Sequence, residues 1–379
     1  MSAFLFYFAL LIARTGGQSA VTQQPQLPEQ HSVPPRLTLS EVSELQAKAE
    51  KGDLIAQYAL GKAYEGGKGI TENDELAVKW YRKAAEQGNS DAQTRLGIMY
   101  RLGLGVPRDK EEAVRWYRKA AKQGNAQGMF NMGVSYYNGD GVPSDPTAAY
   151  AWFLLAQEAG NPLAEDAVKR SSEEGGRLGP PDAFQKVAAM YEKGDEVPQN
   201  SGEAVKWYRK AADLSPQAAF KLAAMLIDGK GVPQDYAQAM KLCQMAAKQN
   251  YVPAQFCVGY IYQHGLGVGT DLKQAAKSYE EASIRGYSPA MMALGEMYWK
   301  GAGKSMDRAE AYYYFFFAAQ GKGAPGARTQ AQTLWKEMTK DDIKHLEKKL
   351  RGAHLDPQKV FASMQDQTTP EAAAGLSQP

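Results

Sequence analysis

The sequence predicts an all-α fold, an α-solenoid of about seven helix-turn-helix units of 36 residues in two capped blocks. Three observations predict it. The nonapeptide AVKWYRKAA stands at residues 77–85 and again at 204–212, with AVRWYRKAA at 113–121. A short apolar motif ahead of a glycine-rich turn recurs along the chain. Its small residue falls at Gly61, Gly97, Gly133, Ala188, Ala223, Gly259 and Gly295, with successive gaps of 36, 36, 55, 35, 36 and 36. Within the unit, Ala77, Trp80, Tyr81 and Ala84 lie at i, i+3, i+4 and i+7 and so share one helical face, while Lys79, Arg82 and Lys83 point the other way.

At the amino end, the eleven residues from Ala3 to Ala13 are apolar. That is short of the roughly 20 needed to span a bilayer. The segment 1–20 reads as a secretory signal peptide ending at a small-residue QSA site, although no Lys or Arg precedes the apolar run. Residues 21–36, rich in Pro and Gln, read as a flexible spacer. A first block of three units plus a cap then occupies 37–180. A second block of four units plus a carboxyl-terminal cap occupies 181–365, and 366–379 form a disordered tail.

Each unit opens on a helix with an apolar stripe, Ala56, Leu60, Ala63 and Tyr64 in the first, where Gly61 permits close backbone approach. Gly67 and Gly69 supply the positive φ of the turn that follows. After the second helix, Gly88, Gly124, Gly160, Asn250 and Gly286 end it in the same left-handed manner, and Ser215 departs from this. A lone helix pair covers only one side of each helix, so Trp80 and Tyr81 are expected to be sealed when the next unit stacks on them. Such rings bury roughly 150 to 250 Å² each, and replacing one by alanine is expected to cost about 3 to 5 kcal/mol.

The outward face held by Lys79, Arg82 and Lys83 becomes Ala151, Leu154 and Leu155 in the third unit and Tyr313, Phe316 and Phe317 in the seventh. Each of those helices is followed by a Pro-containing start, GNPLAEDAVKR or GAPGARTQAQTLWKEM, that reads as an added half-unit covering it. SSEEGGRLGPPD (171–182) joins the blocks as a hinge or a long loop. Near the end, TKDDIKHLEKKLRG has Thr339 as N-cap, acids first, bases last and Gly352 as a stop, which predicts a capping helix with Ile343, Leu346 and Leu350 on one side.

Charge excludes one function class. Lys and Arg number 44 against 42 Asp and Glu, so the chain carries no basic field for a phosphate backbone. Motifs for a zinc protease, a phosphate loop or a nucleophile elbow are absent from the sequence. GKGAPG (321–326) matches a dinucleotide fingerprint in letters, but it follows a helix and carries Pro325. The four histidines, His31, His264, His345 and His354, are scattered. No catalytic, cofactor or metal site is therefore expected. Cys243 and Cys257 lie symmetrically about Asn250. A bridge between them is open to an exported protein. Facing helices, however, sit about 8 to 10 Å apart while bridged Cα atoms need roughly 4.4 to 6.8 Å, so two small buried residues are the expectation.

The pattern A...LG..Y..G.GV..D...A..WY.KAA over residues 41–338 resembles the Sel-one-like repeat family, a relative of tetratricopeptide repeats. Leu242 and Ser278 depart from it by replacing the tryptophan, which predicts looser packing there. The resemblance implies that first helices line a concave side that binds another protein or peptide. Positions on those helices that change between units are then the candidate contacts: Arg95, Asn131, Lys186 and Lys221 ahead of the small residue, then Lys62, Tyr260 and Glu296, then Arg101, Tyr137 and Trp299. Tyr137 and Trp299 are the best anchors, as aromatics on a polar face. The basic stripe of Lys79, Arg82, Lys83, Arg115, Arg118 and Lys119 reads as a solvated outer face. Proteins of this kind serve in the bacterial envelope, in signalling, surface assembly and host interaction. The expectation is a monomeric, non-enzymatic adaptor, periplasmic or secreted, that binds no nucleic acid and has no membrane span once mature. Some Cys-rich relatives act on β-lactams, which makes an envelope enzyme or regulator acting on peptidoglycan the alternative. The paired cysteines of those members and a Ser-x-x-Lys motif are both missing here.

Overall fold

The structure, a computed structural model, describes residues 37–174 and 180–365. The expected leader (1–20), spacer (21–36) and tail (366–379) lie outside the described residues, as does part of the joint. Nineteen helices follow one another, with no strand among the described residues. A leading helix, α1 (Leu39–Glu50), precedes three pairs: α2 (Leu54–Gly66) with α3 (Asp74–Glu86), α4 (Ser90–Leu102) with α5 (Lys110–Lys122), and α6 (Ala126–Asn138) with α7 (Pro146–Glu158). The single helix α8 (Ala164–Glu174) comes next. Four more pairs follow: α9 (Pro180–Lys193) with α10 (Ser201–Ala212), α11 (Pro216–Asp228) with α12 (Tyr236–Lys248), α13 (Val252–His264) with α14 (Leu272–Ile284), and α15 (Ser288–Lys300) with α16 (Arg308–Gln320). Three more helices complete the described residues, α17 (Ala327–Trp335), α18 (Lys340–Gly352) and α19 (Pro357–Gln365). This is an all-α solenoid.

Local chemistry sets the boundaries. The second helix of every unit opens on an Asp or Asn, from Asn73 and Asp109 through Asp271 and Asp307, whose side chain accepts a backbone N–H of the first turn. Thr339 caps α18 in a reciprocal box with Asp342. Asn250 carries the left-handed turn at φ 65°, a conformation it shares with only His354 among the described non-glycine residues. The second turn glycine answers to packing as well as to φ: a Cβ on Gly105 would lie 2.4 Å from the backbone of Asp74 in the preceding unit. The fourth unit has Glu196 there instead, and its carboxylate reaches Arg118 at 3.7 Å.

Stacking has a direction that the sequence did not reveal. Trp80 clusters with Ala49 of α1 and with Ala56 and Leu60 of its own first helix. Trp116 clusters with Ala77, Ala84 and Ala85 of the unit before it, and Trp207 donates its Nε1–H to Glu158 of α7, 3.2 Å away. Each of these tryptophans is therefore sealed by the preceding unit, not the following one. Neighbouring helix positions point about 100° apart, so Tyr81 faces elsewhere: a Cβ on Gly61 would sit 2.6 Å from its ring, and it joins residues of the next unit in the core. Both rings are buried, Trp80 at 5% and Tyr81 at 0% exposure.

The third and seventh units show how the apolar outer faces are covered. Leu154 and Leu155 are buried on α7, which packs against both α8 and α9. One apolar cluster thus runs from Ala113 to Ile261 across the joint. Lys186 to Asp145 at 2.6 Å and Lys206 to Glu158 bridge the same boundary. On α16, Phe316 is sealed by Leu334, Leu346, Leu350, Val360 and Phe361 from the three closing helices.

Candidate protein-interaction face

The first helices carry the candidate contacts, and the structure gives each a definite environment. Lys62 is exposed with Nζ 5.6 Å from the Tyr58 ring centre. Tyr137 and Tyr260 are 37% and 39% exposed, and the Tyr260 ring lies 4.3 Å from the imidazole of His264. Glu296 pairs with Lys300 one turn on, at 3.2 Å. Lys186 pairs with Asp145 across the joint. Arg101 is half-buried, and its backbone carbonyl accepts from Arg108 Nε.

Two expected contacts are placed differently. Asn131 is buried at 1% exposure, its Oδ1 accepting from Gln127 Nε2 at 3.1 Å, so it presents nothing to a partner. Trp299 is half-buried: its ring stands edge-on to Phe315 at 6.0 Å, and its Nε1–H donates to Glu337 at 3.0 Å. An indole committed on both its apolar and polar sides is a structural seam more than a free anchor.

The face is laced by two carboxylates that sequence reasoning passed over. Glu65 accepts from the Tyr81 hydroxyl of its own unit and pairs with Arg95 of the next at 3.3 Å. Glu192 repeats this with Tyr208 at 2.7 Å and Lys221 at 3.4 Å. Glu192 is held below the ordinary carboxylate range; partial burial works the other way and is outweighed by the Tyr208 hydroxyl and Lys221. Tyr279 finds Gln263 in the same place at 2.6 Å. The offset is always 16 residues. Where the second helix carries Phe or Cys in place of that tyrosine, as at Phe153, Cys243 and Phe315, the acceptor position holds Tyr137, Ile227 and Trp299. In six of the seven units the residue at this position matches the one sixteen places on; the second differs, with Arg101 sixteen residues before Tyr117.

Among the described residues, no group of three or more His, Cys, Asp or Glu is placed to hold a metal ion. None of the described helices is long and apolar enough to cross a membrane. Cys243 of α12 and Cys257 of α13 form a disulfide with Cα atoms 6.1 Å apart, contrary to the expectation of two unlinked residues. Both side chains are buried; Cα atoms lie about 2.3 Å off each helix axis, so facing Cα atoms approach more closely than the axes do and come within reach of a bridge.

The Sel1 repeat family model matches residues 54–89, 90–125, 126–161, 182–215, 216–251, 252–287 and 288–322, which correspond to the seven helix pairs. The chain belongs to the Sel1 repeat family. Sel1 repeats generally build protein-interaction scaffolds, and the fold is typically non-enzymatic. No curated protein matches the sequence. Among solved structures, a protective antigen of uropathogenic Escherichia coli displaying an SLR fold is 29% identical over 86% of this chain and 70% of its own, with a TM-score of 0.44. A Sel1 repeat protein from Oxalobacter formigenes is 29% identical over 78% of this chain and 80% of its own, with a TM-score of 0.38. A putative Sel1 repeat protein from Klebsiella pneumoniae is 20% identical over 58% of this chain and 98% of its own, at a TM-score of 0.24.

Proposed function

We propose that this Sel1 repeat protein is a non-enzymatic adaptor of the bacterial envelope or secreted space that binds a protein or peptide through the face formed by its first helices. The observation that carries the reading is the pair Tyr137 and Tyr260, the two exposed aromatics of the described residues, the others being half-buried or buried. Such rings are the common anchors of an interface. The ion pairs around Glu65 and Glu192 hold the neighbouring cations in place, so the face is organised before a partner arrives. The Cys243–Cys257 bridge supports an oxidising compartment, in agreement with the apolar leader at Ala3–Ala13.

Affinity capture from the native envelope fraction tests the reading. Tyr137→Ala and Tyr260→Ala are expected to lose a partner that the parent chain retains; a full set retained by both variants overturns the choice of face. Turnover of a β-lactam reporter by purified protein would favour the enzyme alternative. Intact-mass analysis of the mature protein checks export, since an amino terminus still at Met1 removes the leader.

A further inference from the structure

On α3, α5 and α10 most cations find a partner within the chain. Lys83 lies over the Trp80 ring at 4.5 Å, Lys119 over Trp116 at 3.9 Å and Lys210 over Trp207 at 3.7 Å. Arg115 pairs with Glu112, and Lys206 with Glu158. Among the described residues, only Lys122 and Arg209 on these three helices have neither a ring nor a carboxylate or hydroxyl.

The fifth and sixth units lose both kinds of partner. Leu242 and Ser278 stand at the tryptophan position, and α12 (YAQAMKLCQMAAK) contains no acid. On α14, Glu280 is taken by Lys304 at 2.5 Å, and Glu281 accepts from Gln255 at 2.5 Å. Five cations are left: Lys241 and Lys248 of α12, Lys273 and Lys277 of α14, and Arg285 at its carboxyl end. All five are exposed, and none forms an ion pair or a ring contact among the described residues.

Four of them make two tiers. Lys241 and Lys277 share one repeat position on the second helices of successive units. Lys248 and Arg285 follow seven and eight residues later, about 10 to 12 Å along the helices. The second tier has depth: a cleft of about 480 Å³ is bordered there by Lys248, Arg285, Gln244 and Glu281, with Ala247 and Val258 as apolar walls. Lysine and arginine only donate, and the Gln244 amide has no partner among the described residues. The single carboxylate on the border, Glu281, is engaged by Gln255. Unpartnered donors around an engaged acid suit an anion, and a guanidinium matches a carboxylate bidentately.

We infer that this outer face docks an acidic peptide segment of a partner protein. One carboxylate enters the cleft between Lys248 and Arg285, and a second meets Lys241 and Lys277. A polyproline II peptide presents residues i and i+3 on one side about 9 Å apart, which matches the spacing of the tiers. The cleft admits a side chain, which favours a peptide over a flat lipid surface. The face belongs to the second helices, so it stands independently of the first-helix face proposed above.

The test titrates a capped Glu-Pro-Pro-Glu peptide into the full chain at low salt, followed by amide chemical shifts. Saturable shifts confined to α12, α13 and α14 in the millimolar range are expected, weakening as salt rises, and none with capped Gln-Pro-Pro-Gln. The exposed double change Lys248→Glu and Arg285→Glu is expected to lower affinity at least about tenfold, and Lys241→Glu about threefold. Lys122→Glu, at another unpartnered surface cation, and Tyr137→Ala, on the other face, are expected to leave binding unchanged. Phosphatidylglycerol vesicles are the competing anion. Cosedimentation of the parent chain that the double change abolishes, without shifts from the peptide, overturns the peptide in favour of a lipid surface. Absence of saturable shifts, equal response to the neutral peptide, or equal loss with Lys122→Glu also overturns the inference.

Discussion

The junction between the first two units and that between the fifth and sixth are built on one frame but closed by different means. In the first, Trp116 presses on the alanines of α3 and Lys119 covers it. In the second, a buried Ser278 stands at that position and a disulfide joins α12 to α13. The difference teaches that the repeat needs each junction sealed, yet does not need the same seal at each. A noncovalent ring suits a junction that is only structural.

The comparison can be broken most forcefully by removing each seal in turn. Trp116→Ala is expected to cost about 3 to 5 kcal/mol in urea unfolding, since it deletes a ring that two units bury. The double change Cys243→Ala and Cys257→Ala is expected to cost about 3 kcal/mol, as its 14-residue separation closes a modest loop. Loss of stability at the first junction with none at the second would show that the bridge is redundant. A smaller effect sharpens the frame itself. Gly97→Val would place a Cβ 2.5 Å from the Tyr117 ring and is expected to cost about 1 to 3 kcal/mol, with less cost for Ala223→Val, where Cys243 replaces the ring.

The least effect concerns the carboxylate ladder. Tyr208→Phe is expected to cost about 1 kcal/mol at neutral pH by removing the hydroxyl that donates to Glu192. Because the folded chain holds Glu192 below its ordinary value, this contribution is present above about pH 4 and fades as pH falls further. Equal stabilities of parent and variant at pH 7, or a gap that widens below pH 4, would contradict the assignment.

Much of the architecture was readable beforehand because the repeat states it seven times: the helix pairs, the Thr339 cap and the positive φ at Asn250 follow from local chemistry that needs no knowledge of neighbours. What could not be read is which neighbour each face meets. A periodic pattern fixes that Trp116 is apolar-facing but is silent on direction, so its contact with the preceding unit emerged only in three dimensions. Trp299 looked free because Glu337, its acceptor, comes from 38 residues along the chain. Asn131 looked exposed by register but is buried, held by Gln127 one turn before it. The Cys243–Cys257 bridge was missed because an axis-to-axis helix spacing was set against a Cα–Cα requirement, although facing Cα atoms lie closer than the axes.

The rearward lean of the tryptophans also bears on how the chain is made. A ribosome releases the amino-terminal units first, so Trp80, Trp116 and Trp207 each meet a platform that already exists, starting with Trp80 on α1. For these three rings, growth of the stack and growth of the polypeptide run the same way, whereas Tyr81 and Phe316 wait for partners still to be translated.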